Sequence, residues 1–220
     1  MEIHNAGHQE HPGDGIQEDA ALNPDGIAFF DLDGTITRKD TFIDFIRFVN
    51  GRTRFAWGLF RLSPYILLFL IRKYPNHRLK ERFFRTFLSP LHQDTLKKLG
   101  EKYGREKLPL LVYAEAMQRI RWHIDAGHRV VILTASSHVW LEHWCAVHGL
   151  ELIGTRFEVS NGFYTGRIEG ENCQGLVKQH IVRGIIEGNR DAKTYGYGDT
   201  HWDLPFLSIV DHSHYKPFRT

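Results

Sequence analysis

Asp31 and Asp33 stand two residues apart in the run Asp-Leu-Asp-Gly-Thr, directly after the apolar stretch Ile27-Ala28-Phe29-Phe30. At a strand end, a backbone bend at Leu32-Asp33 would turn both carboxylates toward one site. One carboxylate can attack a phosphorus atom and form an acyl phosphate. The other can protonate the departing oxygen, then deprotonate the water that opens the intermediate. Gly34 and Thr35 permit a tight turn whose amides face an anion. The same residue types also make ordinary surface turns, so the pair needs partners before it means chemistry.

Partners occur at three later places. The hydroxyl of Thr134 could reach a phosphoryl oxygen, or Thr134 could simply cap the helix after Thr134-Ala135-Ser136-Ser137. Lys178, near a helix start, could neutralise a phosphoryl group and an aspartate together, or be a solvated helix lysine. Asp199 and Asp203, four apart in Gly-Asp-Thr-His-Trp-Asp, could hold or orient Mg2+, which takes oxygen ligands and keeps waters. They could also be a capping Asp and a first-turn acid.

The elements that must position these groups follow from the apolar pattern. Ile27–Phe30, Val130–Leu133 and Thr194–Tyr197 read as short buried strands, each running into one of the candidate groups. Helical patterns cover 140–148 and 176–186. Alternating strands and helices predict an α/β, Rossmann-like parallel sheet covered on both faces, with ligands beyond the carboxyl ends of its strands. Between the first two strands the chain reads as helical: Phe42, Phe45, Ile46 and Val49 form one stripe, and Gly51, Pro64, Pro75 and Pro90 punctuate the rest. Residues 156–170 alternate around Ser160-Asn161-Gly162, a hairpin signal. The expected organisation is a tail over 1–24, a catalytic core from 25–38 and 117–220, and a helical cap over 39–116.

The four sets DLDGT (Asp31–Thr35), ILTAS (Ile132–Ser136), GLVK (Gly175–Lys178) and GYGDTHWD (Gly196–Asp203) occur in one order. In order and type they resemble the four motifs of the phosphoserine-phosphatase-like branch of the haloacid dehalogenase superfamily. The resemblance implies Asp31 as nucleophile and Asp33 as general acid and base. It implies Mg2+ on Asp31, Asp199 and the backbone carbonyl of Asp33, with Asp203 supporting the metal shell. The phosphate would lie against Leu32, Gly34, Thr35, Thr134, Ala135 and Lys178. An acid at position 33 suits ester hydrolysis, since a halide leaves without a proton. Two positions depart from the phosphoserine phosphatases: Asp40 stands where a cap glutamate meets the substrate amine, and Trp202 stands where an asparagine precedes the last aspartate. The run Asp203-Leu204-Pro205-Phe206-Leu207 is more similar to relatives that include bacterial phosphatidylglycerophosphate phosphatase.

Composition narrows the partners further. A net charge of +2 over 220 residues singles out no partner. Within 41–90, however, ten Lys and Arg face only Asp44 and Glu81, and 55–71 is strongly apolar. That stretch is short for a membrane span, which needs about 20 apolar residues. It suits either a cap helix packed on its neighbours or peripheral contact with an anionic membrane. The expected substrate is a phosphorylated small molecule or lipid, with no nucleic acid. Phosphoserine or another small metabolite, phosphotransfer to an alcohol, and a non-catalytic polyanion-binding module are the alternatives. Cys145 and Cys173 make no disulfide framework, and 1–24 has no basic start or apolar run. Both point to a cytoplasmic protein, peripheral at the membrane's inner face if it binds there. The 14 histidines, His123, His128, His138, His143 and His148 among them, show no metal-ligand spacing and read as ordinary surface or partly buried residues.

Overall fold

The structure is a computed structural model and describes residues 24–218. The tail expected over 1–24 therefore lies, apart from Pro24, outside the described residues. Six strands form one sheet in the order β4-β3-β2-β1-β5-β6. They are β1 (Gly26–Phe30), β2 (Arg129–Ser137), β3 (Glu151–Ser160), β4 (Phe163–Glu169), β5 (Lys193–Gly198) and β6 (His212–Tyr215). All neighbours run parallel except β3 and β4.

The central strands are apolar at successive positions because both faces of the sheet are covered. Ala28, Phe30, Val130 and Ile132 face one core, shared with Ile120, Trp140 and Leu141. Ile27, Phe29, Val131 and Leu133 face the other, shared with Val182, Phe206 and Leu207. The helices supplying these residues are α4 (Ala114–Asp125) and α5 (His138–Val147) on the first face, and α6 (Leu176–Gly188) and the short α7 (Leu204–Leu207) on the second. This α/β architecture is the one the alternating pattern predicts.

Between β1 and β2 the chain forms α1 (Thr41–Leu70), α2 (Asn76–Phe87), α3 (Gln93–Glu106) and α4. Phe42, Phe45 and Ile46 bury the expected stripe. Gly51 leaves helical geometry at φ 68°, so α1 is two helices joined by a kink. Pro75 precedes α2, and Pro90 separates α2 from α3. Pro64 does not break the chain as expected and lies inside α1. A proline there leaves the carbonyl four residues back without its amide partner. Here the Ser63 hydroxyl donates to the Phe60 carbonyl at 2.8 Å instead. Helix α3 packs closely on α5: a Cβ at Gly100 would stand 1.8 Å from the carbonyl oxygen of Val139, so only glycine fits.

The expected hairpin is present, with Asn161 and Gly162 both at positive φ in its two-residue turn. It is not a separate unit. The first half of β3 pairs with β2 and the second half with β4, so the hairpin prolongs the sheet. Strand β6 carries no apolar signal; it is a four-residue edge strand, His-Ser-His-Tyr, held by its register with β5.

Candidate active site

The strand β1 ends at Phe30, and Asp31 follows with its amide still bonded to the Tyr197 carbonyl of β5 at 2.9 Å. The chain then folds back tightly: the amides of Thr35, Ile36 and Thr37 all donate to the Leu32 carbonyl. This turn separates the two acids. Asp31 is buried and receives Lys178 Nζ on Oδ1 at 2.6 Å and the Thr35 hydroxyl on Oδ2 at 3.0 Å. Burial pushes its carboxyl up to about 7, against the opposing pull of Lys178.

Asp33 points elsewhere. Its Oδ1 accepts the Thr41 amide at the start of α1, and its Oδ2 accepts the Ser136 hydroxyl, each at 2.6 Å. Behind them the Trp140 indole donates to Thr41 Oγ1 at 3.2 Å, and Thr41 donates to Ser136 Oγ at 3.0 Å. A relay of three donors from α5, α1 and β2 thus ends on one carboxylate. Burial and the nearby Asp40 raise Asp33 to about 6, although Ser136 and Thr41 stabilise its charge. An acid in that range can give up a proton near neutrality and take it back.

Thr134 is fully buried, and its hydroxyl accepts the Ser136 amide at 3.0 Å. It is neither the last strand residue nor the helix cap. Strand β2 continues to Ser137 through a shift in register after Thr134, and Ser137 caps α5 by accepting the Val139 amide at 3.3 Å. The irregularity aims Ala135 and Ser136 into the cavity.

Lys178 occupies the first turn of α6 and is buried. Its ammonium bridges Asp31 and Asp203, the latter at 2.8 Å. Burial alone would discharge the lysine, but the two carboxylates outweigh it and hold the pKa above the usual lysine value. The other oxygen of Asp203 accepts the amides of Asp199 and Thr200 and the Thr200 hydroxyl. Burial opposes the charge on Asp203, yet Lys178 and these donors keep its pKa below the ordinary carboxylate range.

Carboxylate oxygens of Asp31, Asp199 and Asp203 lie within 4.8 Å of one another. The Thr35 hydroxyl lies 3.0 Å from Asp31 Oδ2 and 3.2 Å from Asp199 Oδ1. The Thr35 proton can be given to only one of these two carboxylates at a time, and a cation held between Asp31 and Asp199 would offset their like charges. An all-oxygen donor set fits Mg2+. Asp203 is already engaged by Lys178 and three donors, which suits a supporting place better than a ligand. The Asp33 side chain stands outside this carboxylate group.

A haloacid dehalogenase-like hydrolase family model matches residues 28–208, a span that contains every one of these groups. The chain belongs to the haloacid dehalogenase-like hydrolases. Among its relatives, Protein CicA of Caulobacter vibrioides is 30% identical, over 88% of this chain and 86% of that protein. Phosphoserine phosphatase SerB1 of Mycobacterium tuberculosis is 27% identical, over 83% of this chain and 62% of that protein. The crystal structure of a Bordetella pertussis Tohama I protein with unknown function superposes at TM-score 0.75 with 24% identity, over 86% of this chain and 89% of that one. A substrate-bound phosphoserine phosphatase shares the fold at TM-score 0.61 with 15% identity, over 86% and 85% of the two chains.

In this family member a cavity of about 470 Å³ opens over the acids. Asp31, Asp33, Lys178, Ala135 and Ser136 form its floor, while Ile66, Phe69, Leu70, Leu79 and Phe83 give it apolar walls. Asp40 lines it too and caps α1 by accepting the Ile43 amide at 3.0 Å, and Trp202 lines it from the last motif. Two polar side chains of the cavity escaped the sequence. Ser136 was hidden in a hydroxyl-rich run, and only the register shift after Thr134 turns it toward Asp33. Lys80 read as one of many surface cations, yet its Nζ reaches the Ala135 carbonyl at 2.8 Å and Asn172 Oδ1 at 2.7 Å within the cavity.

Proposed function

We propose that this hydrolase cleaves phosphate monoesters through an aspartyl-phosphate on Asp31, with Mg2+ as cofactor. The observation that carries the reading is the division of labour between two acids under one cavity. Asp31 is pinned by Lys178, while Asp33 is held apart on Ser136 and Thr41 with a pKa raised toward neutrality. A carboxylate oxygen of Asp31 attacks phosphorus as the ester P–O bond breaks, Asp33 protonates the departing ester oxygen, and Asp33 then deprotonates the water that hydrolyses the acyl phosphate. Lys178 neutralises charge on the transferring group, with Thr134, Ala135 and the turn Leu32–Thr35 around it. Asp31, Asp199 and the Asp33 carbonyl would hold Mg2+, with Asp203 in support; when bound, the ion offsets negative charge on the phosphoryl oxygens.

The core would comprise 25–38 and 117–220, and 39–116 would form the cap. Its α1 and α2 roof the cavity, whereas α3 is fastened to α5. The apolar walls favour a lipid phosphate, such as phosphatidylglycerophosphate, as substrate. The outer end of α1 supports membrane contact. Trp57, Phe60 and Leu70 are 66%, 72% and 68% exposed there, among Arg54, Arg61, Arg72 and Lys73. No helix among the described residues is long and apolar enough to cross a membrane, so the contact would be peripheral. A second reading, phosphoserine, draws on Asp40, which caps α1 and lines the cavity at the place where a substrate amine could meet an acid. Phosphate release with Mg2+ across phosphoserine, sugar phosphates, nucleotides and phosphatidylglycerophosphate decides. Release from none of them, nor from an aryl phosphate, would refute the phosphatase reading.

A further inference from the structure

Lys80 is a cation on the cavity side of α2, supported at a distance by the charges of Asp40 and Asp33. It projects from α2 into the space above Asp33 and Asp40, and its stem passes Phe42, whose ring centre lies 5.9 Å from Nζ. Both of its hydrogen-bond partners are neutral oxygens, the Ala135 carbonyl and the Asn172 carboxamide. Among the described residues it makes no ion pair. The partners are themselves fixed: Asn172 Oδ1 also accepts from the Thr155 hydroxyl at 3.2 Å, and Asn172 donates to Gln174 at 3.0 Å. The ammonium is therefore held in place. An ammonium has three donors, and two are engaged. Burial depresses its pKa to about 8, partly restored by Asp40 and Asp33, so holding the charge here costs free energy that a ligand anion would recover.

Its position separates it from Lys178. Lys178 touches the nucleophile from the core side, on α6. Lys80 comes from the opposite, roofing side, next in sequence to Leu79 and three before Phe83, both of which line the cavity's apolar wall. We infer that Lys80 is a specificity-determining residue that binds a second anionic group, a carboxylate or a phosphodiester, carried by the alcohol portion of the substrate. The inference rests on the phosphatase reading and narrows it to monoesters with a further negative charge beside the ester.

The test uses three soluble substrates with Mg2+ and the full chain. Glycerol 3-phosphate has a neutral alcohol portion, 3-phosphoglycerate adds a carboxylate, and glycerophosphoglycerol phosphate adds a phosphodiester. The wild type should prefer at least one charged substrate in kcat/KM, and which one it prefers identifies the source of the anion. Lys80→Gln should lower that preference about tenfold or more, mainly through KM, the size of one charge-assisted hydrogen bond. Lys80→Arg should keep most of it. Lys80→Met, which retains a stem against Phe42, reads the same ratio if the glutamine variant melts early. A preference ratio unchanged in the variants overturns the inference, including the case in which all three substrates lose equally because Lys80 touches the transferring phosphoryl group. Wild-type turnover that favours glycerol 3-phosphate over both charged esters also overturns it while leaving the phosphatase reading intact. No turnover of these three or of an aryl phosphate removes both.

Discussion

The ammonium of Lys178 lies 2.6 Å from Oδ1 of Asp31, a residue 147 positions earlier in the chain. With Asp203 it makes a buried triad of one cation and two anions. Removing the cation leaves two carboxylates buried against each other. Lys178→Met should abolish turnover and also destabilise the protein, by about 3–5 kcal/mol for an uncompensated buried charge. A thermal melt within a degree or two of the wild type would contradict that triad.

Asp31→Asn isolates the nucleophile. It removes attack while keeping a side chain of the same size beside Lys178, so activity should vanish and the melt should survive. Uncatalysed monoester hydrolysis is so slow that any remaining turnover is easily recognised. Substantial activity in this variant would move the nucleophile elsewhere.

Asp33→Asn separates proton delivery from attack. Esters of poor leaving groups should lose about 10²–10⁴-fold in kcat/KM, and an activated aryl phosphate far less. Equal losses on both would make Asp33 a structural residue that only fastens Thr41 and Ser136.

Metal removal reads the pair Asp31 and Asp199. Excess chelator should silence the enzyme and Mg2+ should restore it, whereas Ca2+, with its larger and looser shell, should fail to substitute. Full activity in chelator would rule out the metal-bridged reading of the Thr35 contacts.

The end of α1 gives a prediction for membranes. Sedimentation with anionic but not neutral vesicles is expected, weakening with salt. Replacing Arg54, Arg61, Arg72 and Lys73 with glutamine should reduce it and leave hydrolysis of an aryl phosphate nearly unchanged. Lys80 does not belong in that set, because it faces the cavity. Indifference to anionic vesicles at low salt would leave the helix end as a packing surface only.

His123 predicts acid sensitivity. It is fully buried, with Nδ1 2.8 Å from His128 Nδ1 and Nε2 3.0 Å from the Tyr197 hydroxyl. Burial, aided by His128 and Arg119, holds its pKa down at about 3. The folded form stays neutral while the unfolded chain takes up a proton below its ordinary pKa of 6.5. That contribution is present above pH 6.5 and lost progressively as the pH falls toward 3. At about one pH unit below the unfolded pKa the loss is about 1.4 kcal/mol. His123→Gln should flatten the slope of melting temperature between neutral and mildly acid pH. An identical slope in the variant would assign it to other groups.

Sequence alone determined the α/β architecture and the order of the motif residues. Both follow from local facts: apolar strands buried on two faces, and acids, a hydroxyl and a lysine placed just beyond them. The hairpin was equally local, since Asn161 and Gly162 carry the turn in their own backbone preferences. What tertiary structure decided depends on contacts between distant segments. Ser136 matters only because the register shift in β2 aims its hydroxyl at Asp33. Lys80 looked like its exposed neighbours until α2 was laid over Ala135 and Asn172. His123 counted among ordinary histidines until Tyr197 and His128 enclosed it. Pro64 lies inside α1, where the neighbouring Ser63 hydroxyl bonds the carbonyl it stranded. Residue type and spacing specify what a side chain can do; only the packing of separate elements decides what it faces, and so what its charge costs and where its proton goes.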